Sequence, residues 1–311
     1  MTWLRRLATR MDTAGAVRKT ARFQSGWASR SRQDVRFYST PKVTYRYREH
    51  GDGPTIVFAA DPPVTLEMYD ELFAKFTPKY RVIVMELPGM GFSVPATNFT
   101  FRWRETNDDV AQFLRDVAGD GIILAFSCVA GLAAVDLAVR YPELVNKLVL
   151  MQTADVAAFQ RWKAARDPKR ILAKPFIGQF VMKRLAPKRM PDWFALSVGD
   201  KSKVPSLCAC SAESMRHGAM WSLASAYQSY MDPNVNLGRP QQPTLALWGL
   251  ADGSHPPGNE VSAKGMSDNV VYRAFPALGH FSELEDTEQV YDVIDAFVEG
   301  RLERSDLANG S

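Results

Sequence analysis

The sequence predicts an α/β fold with a mostly parallel central sheet covered by helices on both faces. Three observations predict it. From about residue 43, short apolar runs alternate with helical patterns. The strand-like runs are apolar nearly throughout, as buried parallel strands are. One of them, Gly121–Phe126, turns straight into a helical pattern at small residues.

The strands fall at Thr44–Arg48, Thr55–Ala60, Arg81–Glu86, Gly121–Phe126, Lys147–Gln152, Thr244–Gly249 and Val270–Phe275. Each is a short apolar run rich in branched or aromatic residues and bounded by turn formers. The first two, joined by Gly51-Asp52-Gly53-Pro54, read as a hairpin. Helical patterns fill the spaces between, at Leu66–Phe76, Asn107–Val117 and Val129–Arg140. A last helix over Thr287–Leu302 puts Val290, Val293, Ile294 and Phe297 on one face. The apolar run from Ile122 to Val139 is broken by Ser127, Gly131 and Asp136, so strand, turn and helix account for it better than a membrane span.

Two regions lie outside this rhythm. Residues 155–242 lack a strand pattern and are rich in basic residues, Trp, Phe and Met. They read as a helical lid over the carboxyl edge of the sheet, cut into short helices at Pro175, Pro187, Pro191 and Pro205. The core is then 41–154 and 243–303. Residues 1–40 form a basic N-terminal extension, with Trp3, Leu4, Leu7, Met11 and Ala14 at helical spacing and Arg5, Arg6 and Arg10 on other faces. The extension is similar to a mitochondrial presequence, and Arg36-Phe37-Tyr38-Ser39 to the cleavage pattern of such segments. This implies the mitochondrial matrix if the segment is removed. It equally suits an anionic membrane surface or a docked basic extension on a cytoplasmic, membrane-peripheral protein. On any of these readings it stands outside the fold.

Charge and cysteine content narrow the function. Residues 1–36 hold nine Lys/Arg and two Asp, so the remaining 275 residues of this +4 chain are mildly acidic. A nucleic-acid-binding body would show the opposite. The three cysteines, Cys128, Cys208 and Cys210, do not make a disulfide framework. Cys208-Ala209-Cys210 has no second Cys/His cluster to complete a metal site, and no phosphate loop or dinucleotide fingerprint occurs, so no metal or cofactor is implied.

Five segments, in order, carry a resemblance to a known family. These are Glu86-Leu87-Pro88-Gly89-Met90-Gly91-Phe92-Ser93, Phe126–Gly131, Tyr141-Pro142-Glu143 leading into Leu148-Val149-Leu150, Trp248–Asp252, and Gly279-His280-Phe281. Over about residues 40–300 the chain resembles the α/β-hydrolases. The first segment is similar to their Asp-x-Pro-Gly-x-Gly-x-Ser turn and the second to their nucleophile elbow. The resemblance implies a nucleophile about thirteen residues before the Tyr-Pro pair, which is Cys128. Ser127 competes, and Cys128 as a buried small hydrophobe is a third reading. A cysteine at a helix N-terminus beside a histidine is expected to have a lowered pKa. The resemblance implies His280 as base and Asp252 as its partner, with Asp155 the runner-up acid unless it only caps the first insertion helix.

The oxyanion site departs from the family. The backbone N–H of Val129 is one expected donor. The second comes in relatives from a His-Gly loop after the 55–60 strand, but here the chain reads Ala59-Ala60-Asp61-Pro62-Pro63. The Asp61 N–H is the available donor. Its carboxylate would oppose an oxyanion if it faced inward, so either Asp61 turns outward or the reaction does without a strong oxyanion hole.

These residues suggest acyl transfer through an acyl-Cys128 thioester on an ester or thioester. Hydrolysis, transfer or the carbon–carbon ring closure of Dieckmann cyclases would each fit. Phe126, Ser127 and Trp221 are candidate substrate contacts, and the substrate is a small acyl molecule, free or carrier-bound. The alternatives are a non-catalytic ligand-binding relative, or a serine esterase using Ser127.

Overall fold

The computed structural model describes residues 2–24, 34–233 and 235–302. The expected extension between 25 and 33 and the expected core boundary at 303 lie outside these. The strands are β1 (Val35–Ser39), β2 (Val43–His50), β3 (Thr55–Ala60), β4 (Arg81–Glu86), β5 (Val94–Pro95), β6 (Ile122–Ser127), β7 (Val145–Met151), β8 (Thr244–Gly249) and β9 (Val270–Phe275). They form one sheet in the order β1-β2-β4-β3-β6-β7-β8-β9, with β5 paired to β2. From β4 to β9 every pairing is parallel, and β2 joins antiparallel at one side.

Side chains leave the central strands alternately for two cores. Ile122, Leu124 and Phe126 of β6 join Val57, Leu148 and Leu150 in one. Ile123 and Ala125 join Ile56, Phe58 and Leu245 in the other. Burial on both faces is why these strands carry unbroken apolar runs. The covering helices are α1 (Trp3–Gln24), α2 (Asp70–Phe76), α3 (Trp103–Val117), α4 (Cys128–Arg140), α5 (Val156–Arg166), α6 (Ile177–Ser197), α7 (Val204–Arg216), α8 (Leu223–Ser229), α9 (Asn259–Ala263), α10 (Ser282–Glu285) and α11 (Thr287–Val298). A short 3₁₀ turn, Leu66–Met68, precedes α2.

Several sequence expectations need correcting. The segments 44–48 and 55–60 do not form a hairpin, because β4 lies between β2 and β3. The Gly51–Gly53 connection instead packs under the turn before β4. A Cβ at Gly51, where φ is +86°, would fall 2.3 Å from the Tyr80 carbonyl oxygen, so this segment serves close packing rather than a two-residue turn. Pro187 and Pro191 do not break the insertion, since α6 runs through both. The last helix stops at Val298 rather than Leu302. Gly300 adopts φ +71° there, and the Gly300 and Arg301 N–H groups bond back to Phe297 and Ala296, which closes the helix.

The motif at Glu86 has a structural task. Glu86 is buried, and its carboxylate accepts from the Phe92 N–H (2.6 Å) and the Leu66 N–H (3.4 Å). It also pairs with the buried Arg46 at 3.2 Å. Burial still raises its pKa to about 7. A Cβ at Gly91 would lie 2.4 Å from the Glu86 carboxyl carbon, so this turn requires glycine.

The N-terminal extension belongs to the fold. β1 pairs with β2 over all five residues, Val35 opposite Arg48 through Ser39 opposite Thr44. Helix α1 packs with its small and polar face on β5 and on the insertion, burying Ala8, Thr9, Asp12, Thr13, Ala16 and Thr20. A Cβ at Gly15 would sit 2.5 Å from the Trp221 indole nitrogen. Asp12 accepts from Ser225 Oγ at 2.6 Å and pairs with Lys183. The sequence concealed this docking because the face that packs is the polar one. No helix among the described residues is long and apolar enough to cross a membrane.

Removing the Asp12 carboxylate leaves Ser225 and Lys183 without it, so Asp12→Ala is expected to cost about 1–3 kcal/mol. The check is the midpoint of chemical unfolding, which should fall. An unchanged midpoint would show that α1 adds nothing to stability.

Candidate active site

The elbow selects its own side chain. Ser127 ends β6 in an extended conformation, φ −114° and ψ 155°. Cys128 follows at φ +52°, in the left-handed region that a non-glycine residue seldom adopts. Such a strained strand-to-helix turn lifts one side chain above the sheet. Here it is the cysteine that reaches the cavity. Helix α4 packs close behind it, and a Cβ at Gly131 would fall 1.9 Å from Thr153 Oγ1. That contact explains the small residues after the turn.

Three further segments bring their side chains to the thiol. The loop after β8 supplies Asp252, which is buried. Its Oδ1 accepts from the Ser254 N–H at 2.8 Å and its Oδ2 from Gln152 Nε2 at 3.0 Å. His280 follows β9, and its N–H donates to the Ser197 carbonyl at 2.8 Å. The preceding Gly279 fits only without a side chain, because a Cβ would lie 2.1 Å from that same carbonyl. Glu285 fixes the loop from below by accepting from the Gly279, Gly199 and Asp200 N–H groups. Asp61 ends β3, where its carbonyl accepts from Val64 N–H at 2.9 Å.

The imidazole of His280 lies between two carboxylates. Nδ1 is 2.7 Å from Asp252 Oδ2, and Nε2 is 2.9 Å from Asp61 Oδ2. With both carboxylates ionised, both ring nitrogens would donate, as only the imidazolium can. Burial lowers the His280 pKa, but the Asp252 charge and the ring's hydrogen bonds to both carboxylates outweigh it and hold the pKa well above the ordinary histidine value. Asp252 is held low despite burial, chiefly by the His280 charge. Asp61 is pushed up by burial, against the hydrogen bond from His280.

Asp61 therefore turns inward. The sequence left open an outward carboxylate with only its N–H directed at substrate, and the structure shows the carboxylate at the thiol and imidazole instead. The Cys128 thiol also departs from expectation. Its pKa is raised, first by burial and then by the Asp61 charge, although hydrogen bonds from His280 and the Val129 N–H act in the opposite direction. A cysteine at a helix N-terminus beside a histidine is ordinarily lowered. Here the nearby carboxylate and desolvation prevail.

A cavity of about 550 Å³ opens beside this cluster. Cys128, His280 and Asp61 form part of its wall, and insertion side chains including Trp162, Val181, Met182, Met190 and Trp193 form most of the rest. Phe126 is packed in the core and Ser127 is buried with its hydroxyl unpartnered. Neither lines the cavity. Nor does Trp221, whose ring lies 4.5 Å from Lys183 Nζ and 5.2 Å from Lys19 Nζ beneath α1. These three expected substrate contacts are corrected accordingly. Asp155 caps α5 by accepting from the Ala158 N–H at 2.7 Å.

One residue of the site was missed in the sequence. His255 stacks on His280 with centroids 5.4 Å apart, and its other face stacks on Trp162. Burial lowers its pKa to about 3, with the His280 charge adding to the effect. It is thus a neutral slab beside a charged ring. Its only sequence signal is a position three residues after Asp252. Donor sets for a divalent ion exist in Asp61, Cys128 and His280 and in Asp252, His255 and His280, each with ligand atoms within 4.8 Å of one another. The first has the mixed O, S and N character that zinc accepts.

The family model of the alpha/beta hydrolase family matches residues 50–293. The chain belongs to that family. The enol-lactonase 3-oxoadipate enol-lactonase 2 of Acinetobacter baylyi is 22% identical over 261 residues, covering 82% of this chain and 92% of its own. A biotin biosynthesis bifunctional protein of Teredinibacter turnerae is 25% identical over 240 residues, 72% of this chain, and the match takes in only 40% of that protein's length. Among solved structures, a thermophilic esterase from Thermogutta terrifontis superposes with a TM-score of 0.65 at 18% identity, covering 86% of this chain and 97% of the esterase. A Bacillus megaterium epoxide hydrolase has a TM-score of 0.65 at 16% identity, with coverage of 85% and 100%.

Because Asp61 holds the thiol pKa up, Asp61→Asn should make Cys128 more acidic. Alkylation of Cys128 by iodoacetamide, followed by peptide mass, should rise at lower pH in the variant than in the native protein. At about pH 8 the native thiol should react more slowly than a free cysteine. A shift to higher pH in the variant would contradict the assignment.

Proposed function

We propose that this member of the family is an acyl-transfer enzyme that forms a thioester on Cys128 from an apolar ester or thioester. The observation that carries the reading is Cys128 itself, held at φ +52° on the elbow and facing both His280 and the cavity. A buried, merely structural cysteine has no need of that backbone strain.

The proton inventory gives the steps. With Asp61 and Asp252 both ionised at rest, His280 is an imidazolium donating through both nitrogens and does not take the thiol proton. Asp61 can, through the carboxylate oxygen that His280 does not occupy, and its raised pKa makes it a better base than an exposed carboxylate. As the sulfur bonds to the acyl carbon, the S–H proton passes to Asp61 and the carbonyl π electrons move to oxygen. The protonated Asp61 then becomes a donor to that oxygen, beside the Val129 N–H. Its carboxyl replaces the missing second backbone donor, in the way a carboxylic acid kept neutral by an apolar site can serve an oxyanion. Collapse expels the alcohol or thiol, which takes the proton from Asp61. Asp61, again ionised, then takes a proton from water, an amine or the acyl chain's own activated carbon. That nucleophile attacks the thioester carbonyl, the C–S bond breaks, and the proton passes from Asp61 back to the Cys128 sulfur.

A second reading, ligand binding without turnover, is favoured by the raised thiol pKa. Intact mass after incubation with short and long acyl thioesters or nitrophenyl esters separates the two. We expect a one-acyl adduct that Cys128→Ala abolishes and Ser127→Ala leaves. His280→Ala and Asp61→Asn should each slow its formation by about 100-fold or more. Adduct formation that survives Cys128→Ala, or none with any donor, overturns the proposal. A faster reaction in Asp61→Asn would show that Asp61 only obstructs. Chelator treatment should leave the rate unchanged, and a loss that zinc restores would recast Cys128 as a metal ligand.

A further inference from the structure

Helix α1 docks with the side that sequence patterning would put outward. Its small and hydroxyl-bearing residues are buried, while its large apolar ones form an outward row. Trp3 is 69% exposed and Met11 61%, with Leu4 and Leu7 between them also exposed. A row of this kind normally faces a core or a partner. The insertion adds to it. Lys183 of α6 pairs with Asp12 of α1, and one turn before it on α6 Phe180 is 67% exposed, with Ile177 exposed one turn further back.

The charges on these two segments are nearly all positive. Residues 2–24 carry six Lys/Arg and one acid, Asp12, which is buried. Residues 161–190 carry ten Lys/Arg and one acid, Asp167, whose carboxylate is bound to the Ile171 and Ala173 N–H groups of its own loop. In a chain of net charge +4, the rest is left with a net −10. The same basic stretch forms the outer wall of the cavity. Arg166, Lys169 and Arg189 line it, together with Ile171 and Leu185, which line it and are themselves exposed.

We propose that the outward row of α1 and the exposed apolar residues of α6 seat the protein on an anionic phospholipid surface, with the cavity rim turned toward the lipid. Apolar side chains ringed by cations match the acyl–headgroup boundary of such a surface. The acidic remainder of the molecule is repelled from it, and this fixes the orientation. A second copy of the chain would meet the apolar row equally well but would bring the same cations face to face, so charge favours lipid.

The test is flotation of the full-length protein with vesicles of phosphatidylcholine alone and with about a third phosphatidylserine, at low and high salt. Binding should require the anionic lipid and fall at high salt. Arg6→Glu and Arg10→Glu should each weaken it by about fivefold or more, since one surface cation contributes about that factor. Met11→Glu and Phe180→Glu should weaken it similarly. All four positions are solvent-facing, so melting temperatures should stay at the native value, which separates lost binding from lost folding. No enrichment on anionic vesicles overturns the proposal, as does binding that none of the four variants reduces. A concentration-dependent dimer that Met11→Glu dissociates, without vesicle binding, would assign the row to self-association instead. Vesicle binding requires no turnover, so its failure is independent of the fate of acyl-Cys128.

Discussion

The site depends on one shared arrangement, the His280 ring held between two carboxylates. Each pairing alone is ordinary. Asp252 orients the ring and stabilises its charged form, as the acid of a triad does. Asp61 at the opposite nitrogen shapes the proposed chemistry, because an ionised Asp61 makes a donor of the atom that would otherwise accept a proton from Cys128. In the proposed mechanism the base is therefore Asp61, and the imidazolium serves as a fixed positive charge. Buried charges persist only when paired and hydrogen-bonded. The surroundings meet that condition, with Gln152 and Ser254 on Asp252 and a neutral His255 stacked on the ring.

The scaffold that holds this arrangement is assembled from distant parts of the chain. Asp61 comes from the end of β3, Cys128 from the end of β6, and Asp252 and His280 from the loops after β8 and β9. All emerge at the carboxyl edge of a parallel sheet, where side chains from separate strands converge. The insertion closes over them, and through Asp12, Lys183 and Ser225 it also receives α1. The extension, the cavity roof and the site are therefore mechanically one body.

Much of this was legible in the sequence, and the residues show why. β3, β4, β8 and β9 are apolar runs cut off by Gly, Pro or polar residues, and their limits read correctly. The family spacing pointed to Cys128, which adopts φ +52° and lines the cavity. What escaped was non-local. β1 is a five-residue strand with three charged or polar residues, and its pairing with β2 leaves no local mark. Helix α1 docks through threonines and alanines, a face that carries no apolar signal, so the segment read as standing outside the fold. Pro187 and Pro191 marked breaks that tertiary packing of α6 overrides. Asp61 was noticed as a departure from the family, but its inward direction depends on His280, more than 200 residues away. Phe126 and Ser127 lie beside Cys128 in sequence, yet strand alternation and the elbow send them into the interior.

The protonation state of His280 decides whether the imidazole or Asp61 is the base. Nitrogen-15 NMR of the imidazole rings, with His280 assigned by its loss in His280→Gln, reads it without a substrate. At about pH 8, above the ordinary histidine range, both ring nitrogens of His280 should carry protons. A ring with an unprotonated Nε2 at that pH would mean that His280 is free to act as the base, and the role given to Asp61 would fall.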